Sequence, residues 1–268
     1  MLWGSFDKVH LTTLVVAVIL NIILYFILKN KSRTKQIITL FVISLFGAGV
    51  IVFTIFNNKD DILRNLPLDF WALNAILLPL AVLFRGKKLC NILLIWSFSS
   101  ILALTFNGDM ASVKLLSWDF VIYYAMHTLC AGIPVILFEL NLARRDTDTV
   151  KFTISATAFA FLAVHIVNIV INSSNGWSVS EGVNYMCTLA PENALLSLFF
   201  ALIPLPLWYM ILAIPLLLLY LVYWYLPEIL DERRRKRPIR KKIRDIDKFY
   251  EEYEEEYIEE IIDEKYDY

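Results

Sequence analysis

Seven apolar runs, each long enough to cross a bilayer, decide most of what this chain can become. They cover about 9–28, 36–56, 66–84, 89–106, 118–141, 150–172 and 205–226. A hydrocarbon core about 30 Å thick takes about 20 residues as a helix. Helices are also the default there because each segment must satisfy its own backbone polar groups. The expected fold is an all-α membrane protein, a seven-transmembrane helix bundle over residues 1–226 with a charged tail over 227–268. With 58% apolar and 19% charged residues, the composition excludes a soluble enzyme and a disordered chain. Cys90, Cys130 and Cys187 lie far apart with no CxxC pair, so neither a disulfide framework nor a zinc site is expected.

The basic residues alternate from loop to loop. Lys29, Lys31, Arg33 and Lys35 follow the first run, Arg85, Lys87 and Lys88 the third, and Arg144, Arg145 and Lys151 the fifth. The other connections carry only Lys8, Lys59, Arg64 and Lys114. By the positive-inside rule the N-terminus is outside and the C-terminus cytoplasmic. A further short apolar stretch at 194–203, closed by Pro204 and Pro206, reads as an interfacial or re-entrant helix. Usage rich in Ile, Asn, Lys and Tyr points to an AT-rich bacterial genome and a multi-pass plasma-membrane protein.

Ionisable and amide groups inside spans are costly, which makes them functional candidates. Span three carries Asp69 and Asn74. Span five carries Asp119, Tyr123, Tyr124, His127 and Cys130, with 119, 123 and 127 on one helix face. Span six carries His165, Asn168 and Asn172 on one face, and Asn184 follows in the next loop. At about 1.5 Å per residue, His127 lies roughly 12–15 Å below the outer surface. All these groups fall in the outer half, so a polar pocket formed by spans three, five and six is expected there. Asn74, Tyr123, Tyr124, His165, Asn168 and Asn184 are its candidate ligand-binding residues. His127 is a candidate general base, tuned by Tyr123 or Asp119. Glu139 sits close to Arg144 and Arg145 and reads as a local ion pair. No HExxH, glycine-rich phosphate loop or GxSxG elbow occurs, and no metal or cofactor is expected.

The tail segregates its charge. From 233 to 244, nine of 12 residues are basic: Arg233, Arg234, Arg235, Lys236, Arg237, Arg240, Lys241, Lys242 and Arg244. Directly after a span on the cytoplasmic side, they are expected to hold anionic inner-leaflet phospholipids. Nucleic acid is not expected, since no RNA-binding fold accompanies the charge. From 251 to 264, nine of 14 residues are acidic. Ile246, Tyr250, Tyr253, Tyr257 and Ile261 recur there at helical spacing, so segment 246–268 reads as an acidic amphipathic helix. Tyr250, Tyr253, Tyr257 and Ile261 would dock a protein partner.

Several short blocks resemble the bacterial YwaF-like integral membrane proteins. They are Leu66-Pro67-Leu68, Ser117-Trp118 leading to Tyr123-Tyr124-Ala125-Met126-His127, and Asn184-Tyr185-Met186. The resemblance implies a seven-helix layout. It also implies a distant vertebrate branch that is a transmembrane phospholipid acyltransferase using a cysteine, with a histidine in the block matched by His127. Where bacterial relatives place a His-x-Cys-like pair after Leu-Pro-Leu, this chain has Asp69-Phe70-Trp71. The resemblance therefore carries His127 but not cysteine catalysis, and leaves Asp69 as the partner His127 would have if the site is catalytic. The sequence leans to a lipid- or small-ligand-binding accessory subunit recruited through its tail. A lipid acyltransferase or hydrolase with His127 as base is the alternative. A permease is weaker, because no inverted repeat is visible.

Overall fold

The structure, a computed structural model, describes residues 6–57, 59–106 and 113–231, together with 234, 246, 249 and 250. Among the described residues the regular structure is helical, and no strand occurs. Eight helices follow in order: α1 (Lys8–Lys29), α2 (Arg33–Asn57), α3 (Phe70–Phe84), α4 (Lys87–Thr105), α5 (Trp118–Glu139), α6 (Thr147–Asn175), α7 (Ala194–Leu202) and α8 (Trp208–Asp231). A 3-10 turn, Lys59–Arg64, precedes α3. The chain divides into two compact units, Met1–Leu221 and Val222–Tyr268.

Six of these helices are long and apolar enough to cross a membrane: α1, α2, α4, α5, α6 and α8. The third apolar run behaves differently. Leu66–Asp69 stay outside the helix, leaving α3 with 15 residues, about 22 Å at 1.5 Å per residue. Pro67 fixes its own φ and disfavours helical backbone at the residue before it, which an apolar count cannot register. The short helix expected at 194–203 appears as α7, capped by Asn193, whose side chain accepts from the Leu196 amide.

The helices expose apolar side chains on a large scale, among them Val15, Ile19, Phe26, Phe46, Phe53, Phe159 and Leu219. A water-soluble monomer does not present such a surface, but a lipid-embedded bundle does. Inside, polar side chains bind across helices, as they do where apolar burial cannot drive association. Asn21 of α1 donates to the Thr128 carbonyl of α5 at 3.2 Å. A Cβ on Gly132 would stand 1.7 Å from the Asn21 Oδ1, so glycine is what admits this approach. Gln36 donates to the Leu28 carbonyl, Asn91 to Arg144, and Trp96 Nε1 to Thr157. His10 is fully buried. Its Nδ1 accepts from the Phe6 amide at 2.8 Å, while Nε2 lies 2.8 Å from the Leu104 carbonyl. The expected pair of Glu139 forms with Arg145, at 2.7 Å.

Candidate functional site

The most heavily braced segment is the connection from α6 to α7, residues 182–192. Asn172 of α6 meets Val183 at two points, donating to its carbonyl at 2.9 Å and accepting from its amide at 2.8 Å. Gly182 lets this happen, since a Cβ there would stand 2.1 Å from Asn172 Oδ1. One turn earlier, Asn168 donates to the Tyr185 carbonyl and to Thr188 Oγ1, both at 2.9 Å, and accepts from the Tyr185 amide. Asn184 folds the loop on itself. It accepts from the Leu189 and Ala190 amides and donates to the Ala190 carbonyl and to Glu192 Oε1.

The segment before α3 grips the loop from its other side. The Tyr185 hydroxyl donates to the Leu63 carbonyl and accepts from the Leu66 amide. Burial pushes this phenol up to about 12, opposed by the Leu66 hydrogen bond and reinforced by the charges of Asp69 and Asp61. Asp69 Oδ1 accepts from the Met186 amide at 2.6 Å. The Tyr209 hydroxyl of α8 donates to the Cys187 carbonyl. Together these ties hold Met186 and Cys187, two successive non-glycine residues, at φ +55° and +54°, a sparsely populated conformation that persists only when the surroundings enforce it. The Cys187 thiol lies 3.3 Å from Glu192 Oε2.

Beside the loop lies a polar cavity of about 180 Å³, lined by Arg64, Asp69, Gly182, Val183, Asn184, Tyr185 and Glu192. Arg64 reaches it while pairing with Asp61 at 3.2 Å, donating to the Glu181 carbonyl and stacking on Trp177. The expected residues divide between this cavity and the bundle interior. Asp69 and Asn184 line the cavity, while Asn168 supports the loop that forms its wall. His127 is buried, with Nδ1 2.9 Å from the Tyr123 carbonyl and its ring between Trp71, at 5.2 Å, and Tyr123, at 4.3 Å. No hydrogen bond joins Asp69 and His127 among the described residues. Asn74 donates to the Leu93 and Cys130 carbonyls, both at 3.3 Å, and ties α3 to α4 and α5. The Tyr123 hydroxyl donates to the Ala103 carbonyl. Tyr124 packs on Phe120. His165 is half-buried, its Nδ1 buried without a hydrogen bond. Asp119 is exposed at the start of α5.

In the tail, Arg234 and Tyr250 are exposed. Arg233, Arg235, Lys236, Arg237, Arg240, Lys241, Lys242, Arg244, Tyr253, Tyr257 and Ile261 lie outside the described residues. Sequence reasoning missed the loop's anchors, Tyr209 and the Tyr185 hydroxyl. It also missed the Asn21–Gly132 contact, although Asn21 is a polar residue within an apolar run and could have been found that way.

The blocks quoted from sequence converge. The run Leu66–Trp71 touches Tyr185 through the Leu66 amide, Met186 through Asp69, and His127 through Trp71. Lipid-facing helices around a braced polar loop define a multi-helix integral membrane protein with a polar cavity at one end of its bundle. The chain belongs to the TMEM164 family, whose model matches residues 5–225. Comparison with curated proteins and with solved structures gives no match.

Proposed function

We propose that this chain is a YwaF-type bacterial plasma-membrane protein, seven-spanning with the N-terminus outside, that holds a polar lipid headgroup or small ligand in the cavity beside loop 182–192. It acts as an accessory subunit of a membrane assembly. The basic stretch 233–244 rests on anionic inner-leaflet lipid, and the apolar stripe Tyr250, Tyr253, Tyr257 and Ile261 of the acidic segment 246–268 recruits the partner. The observation that carries the binding reading is the cavity itself: a polar recess whose wall is braced from α6, α8 and the pre-α3 segment. Preorganised walls lower the cost of binding.

Native mass spectrometry of the protein transferred from mixed phospholipid into detergent tests it. Arg64→Gln removes a charged donor from the cavity wall and should reduce retained lipid about tenfold. Retention equal to wild type contradicts the reading. A second reading, acyl transfer or hydrolysis with His127 as base, draws on the buried imidazole packed against Trp71 in the first turn of α3. It requires that acyl exchange on added phospholipid disappear in His127→Gln while lipid retention stays.

A further inference from the structure

The far end of α3 from Asp69 gathers cations. The helix exposes Leu83 and Phe84 in its last turn and stops at Arg85, and Lys87 and Lys88 open α4 after Gly86. The α5–α6 connection brings Arg144 and Arg145 to the same place. Asn91 of α4 ties the two segments together, its Nδ2 donating to the Lys87 carbonyl at 2.8 Å and to the Arg144 carbonyl at 3.2 Å. Lys87 pairs with Asp146 at 3.9 Å, and Arg145 with Glu139 at 2.7 Å. Arg85, Lys88 and Arg144 form no ion pair among the described residues. Asp148, exposed in the first turn of α6, lies beyond ion-pair distance of all three.

Arg85 carries two further marks. It sits at φ +52°, in the left-handed region where glycine is the usual helix-ending residue, so the chain keeps a guanidinium where its backbone favours none. Its Nε is buried without a hydrogen-bond partner, although a buried donor ordinarily has one. Beside the cations the surface turns apolar. Lys88 Nζ stands 4.8 Å from the centroid of the Phe152 ring, and Phe152 and Phe84 are both exposed. A cationic rim over an aromatic, lipid-facing floor fits a molecule with phosphate at one end and hydrocarbon at the other. We propose that Arg85, Lys88 and Arg144 bind the phosphate of an anionic phospholipid whose chains lie along Phe84 and Phe152. Guanidinium groups take phosphate oxygens in pairs, and the lysine adds a point charge. The positive end of the α4 dipole adds to the same potential. The site uses no residue of the polar cavity or of the basic stretch 233–244, and it rests on neither.

Native mass spectrometry of the full-length protein, released from nanodiscs of equal phosphatidylglycerol and phosphatidylcholine, tests the site through the ratio of the two lipids retained. Wild type should prefer phosphatidylglycerol. Arg85→Gln/Lys88→Gln should lower that preference about tenfold. Arg240→Gln/Lys241→Gln removes the same charge from the tail and should leave the preference within about twofold of wild type. Arg144→Gln, on the other segment, should lower it about threefold and decides the matter if the double variant does not fold. Excess glycerol phosphate should not displace the lipid, because the chains are held as well as the phosphate. Four results overturn the proposal: no preference in wild type, an unchanged preference in Arg144→Gln or in a folded Arg85→Gln/Lys88→Gln, a loss in the tail pair equal to that in the site pair, or displacement by glycerol phosphate, which would assign the cations to a soluble phosphate ester.

Discussion

Asparagine does different work at two places in this membrane domain. In the α3–α4–α5 interior, Asn74 donates two long hydrogen bonds to carbonyls on neighbouring helices, while its own Oδ1 is buried without a partner. At the α6–α7 loop, Asn168, Asn172 and Asn184 each use both the donor and the acceptor, and their partners are mostly backbone groups of a segment whose own regular structure is one short 3-10 turn, Tyr185–Cys187. In a helix the backbone is already satisfied, so an added amide is extra adhesion. In a buried loop the backbone is not satisfied, and the amide replaces what secondary structure would have supplied. The same residue type is dispensable in one setting and structural in the other.

The comparison breaks most readily at Asn172. Asn172→Leu leaves both polar groups of Val183 without partners. Each orphaned group costs about 1–3 kcal/mol, so a loss of about 2–5 kcal/mol is expected by denaturant titration in micelles. A loss below 1 kcal/mol would mean water or another side chain replaces the amide.

Gly132→Ala gives an intermediate effect. The added methyl overlaps Asn21 Oδ1 and forces it off the Thr128 carbonyl, for about 1–3 kcal/mol. The double variant Asn21→Ala/Gly132→Ala should recover most of that loss in the same titration. If it does not, the α1–α5 contact is held by something other than this amide.

The smallest effect belongs to Asn74→Leu. Its bonds are both 3.3 Å and go to carbonyls of helices α4 and α5. Interhelical hydrogen bonds in membranes average about 0.6 kcal/mol, so a change within about 1 kcal/mol is expected. A cost as large as that of Asn172→Leu would erase the distinction between the two regions.

Hydropathy alone reveals most of this fold, because a span must be both long and apolar, and α1, α2, α4, α5, α6 and α8 are both. It overextends α3, since Leu66, Pro67 and Leu68 are as apolar as a helix but form a tight non-helical turn, in which the Leu68 amide donates to the Leu66 carbonyl at 2.8 Å. The polar residues of the site are legible as exceptions inside apolar runs, Asp69, Asn74, His127 and Asn168, with Asn184 in the loop that follows. Their division of labour is not. Nothing in the sequence says that the carbonyl awaiting Asn168 belongs to Tyr185, 17 residues on, or that Asp69 would face Met186 rather than His127. Those pairings depend on where the loop returns, and the loop returns because Gly182 and the left-handed Met186–Cys187 step let it.

The thiol at that step gives the most direct reading of the loop's state. Cys90 and Cys130 are buried in the bundle, whereas Cys187 is half-buried on the loop. Maleimide labelling in native membranes therefore follows loop 182–192. If asparagines replace secondary structure there, wild-type Cys187 labels slowly and Asn172→Leu raises its rate at least tenfold, while Asn74→Leu leaves it unchanged. Equal rates in all three proteins would contradict a loop held in place by its asparagines.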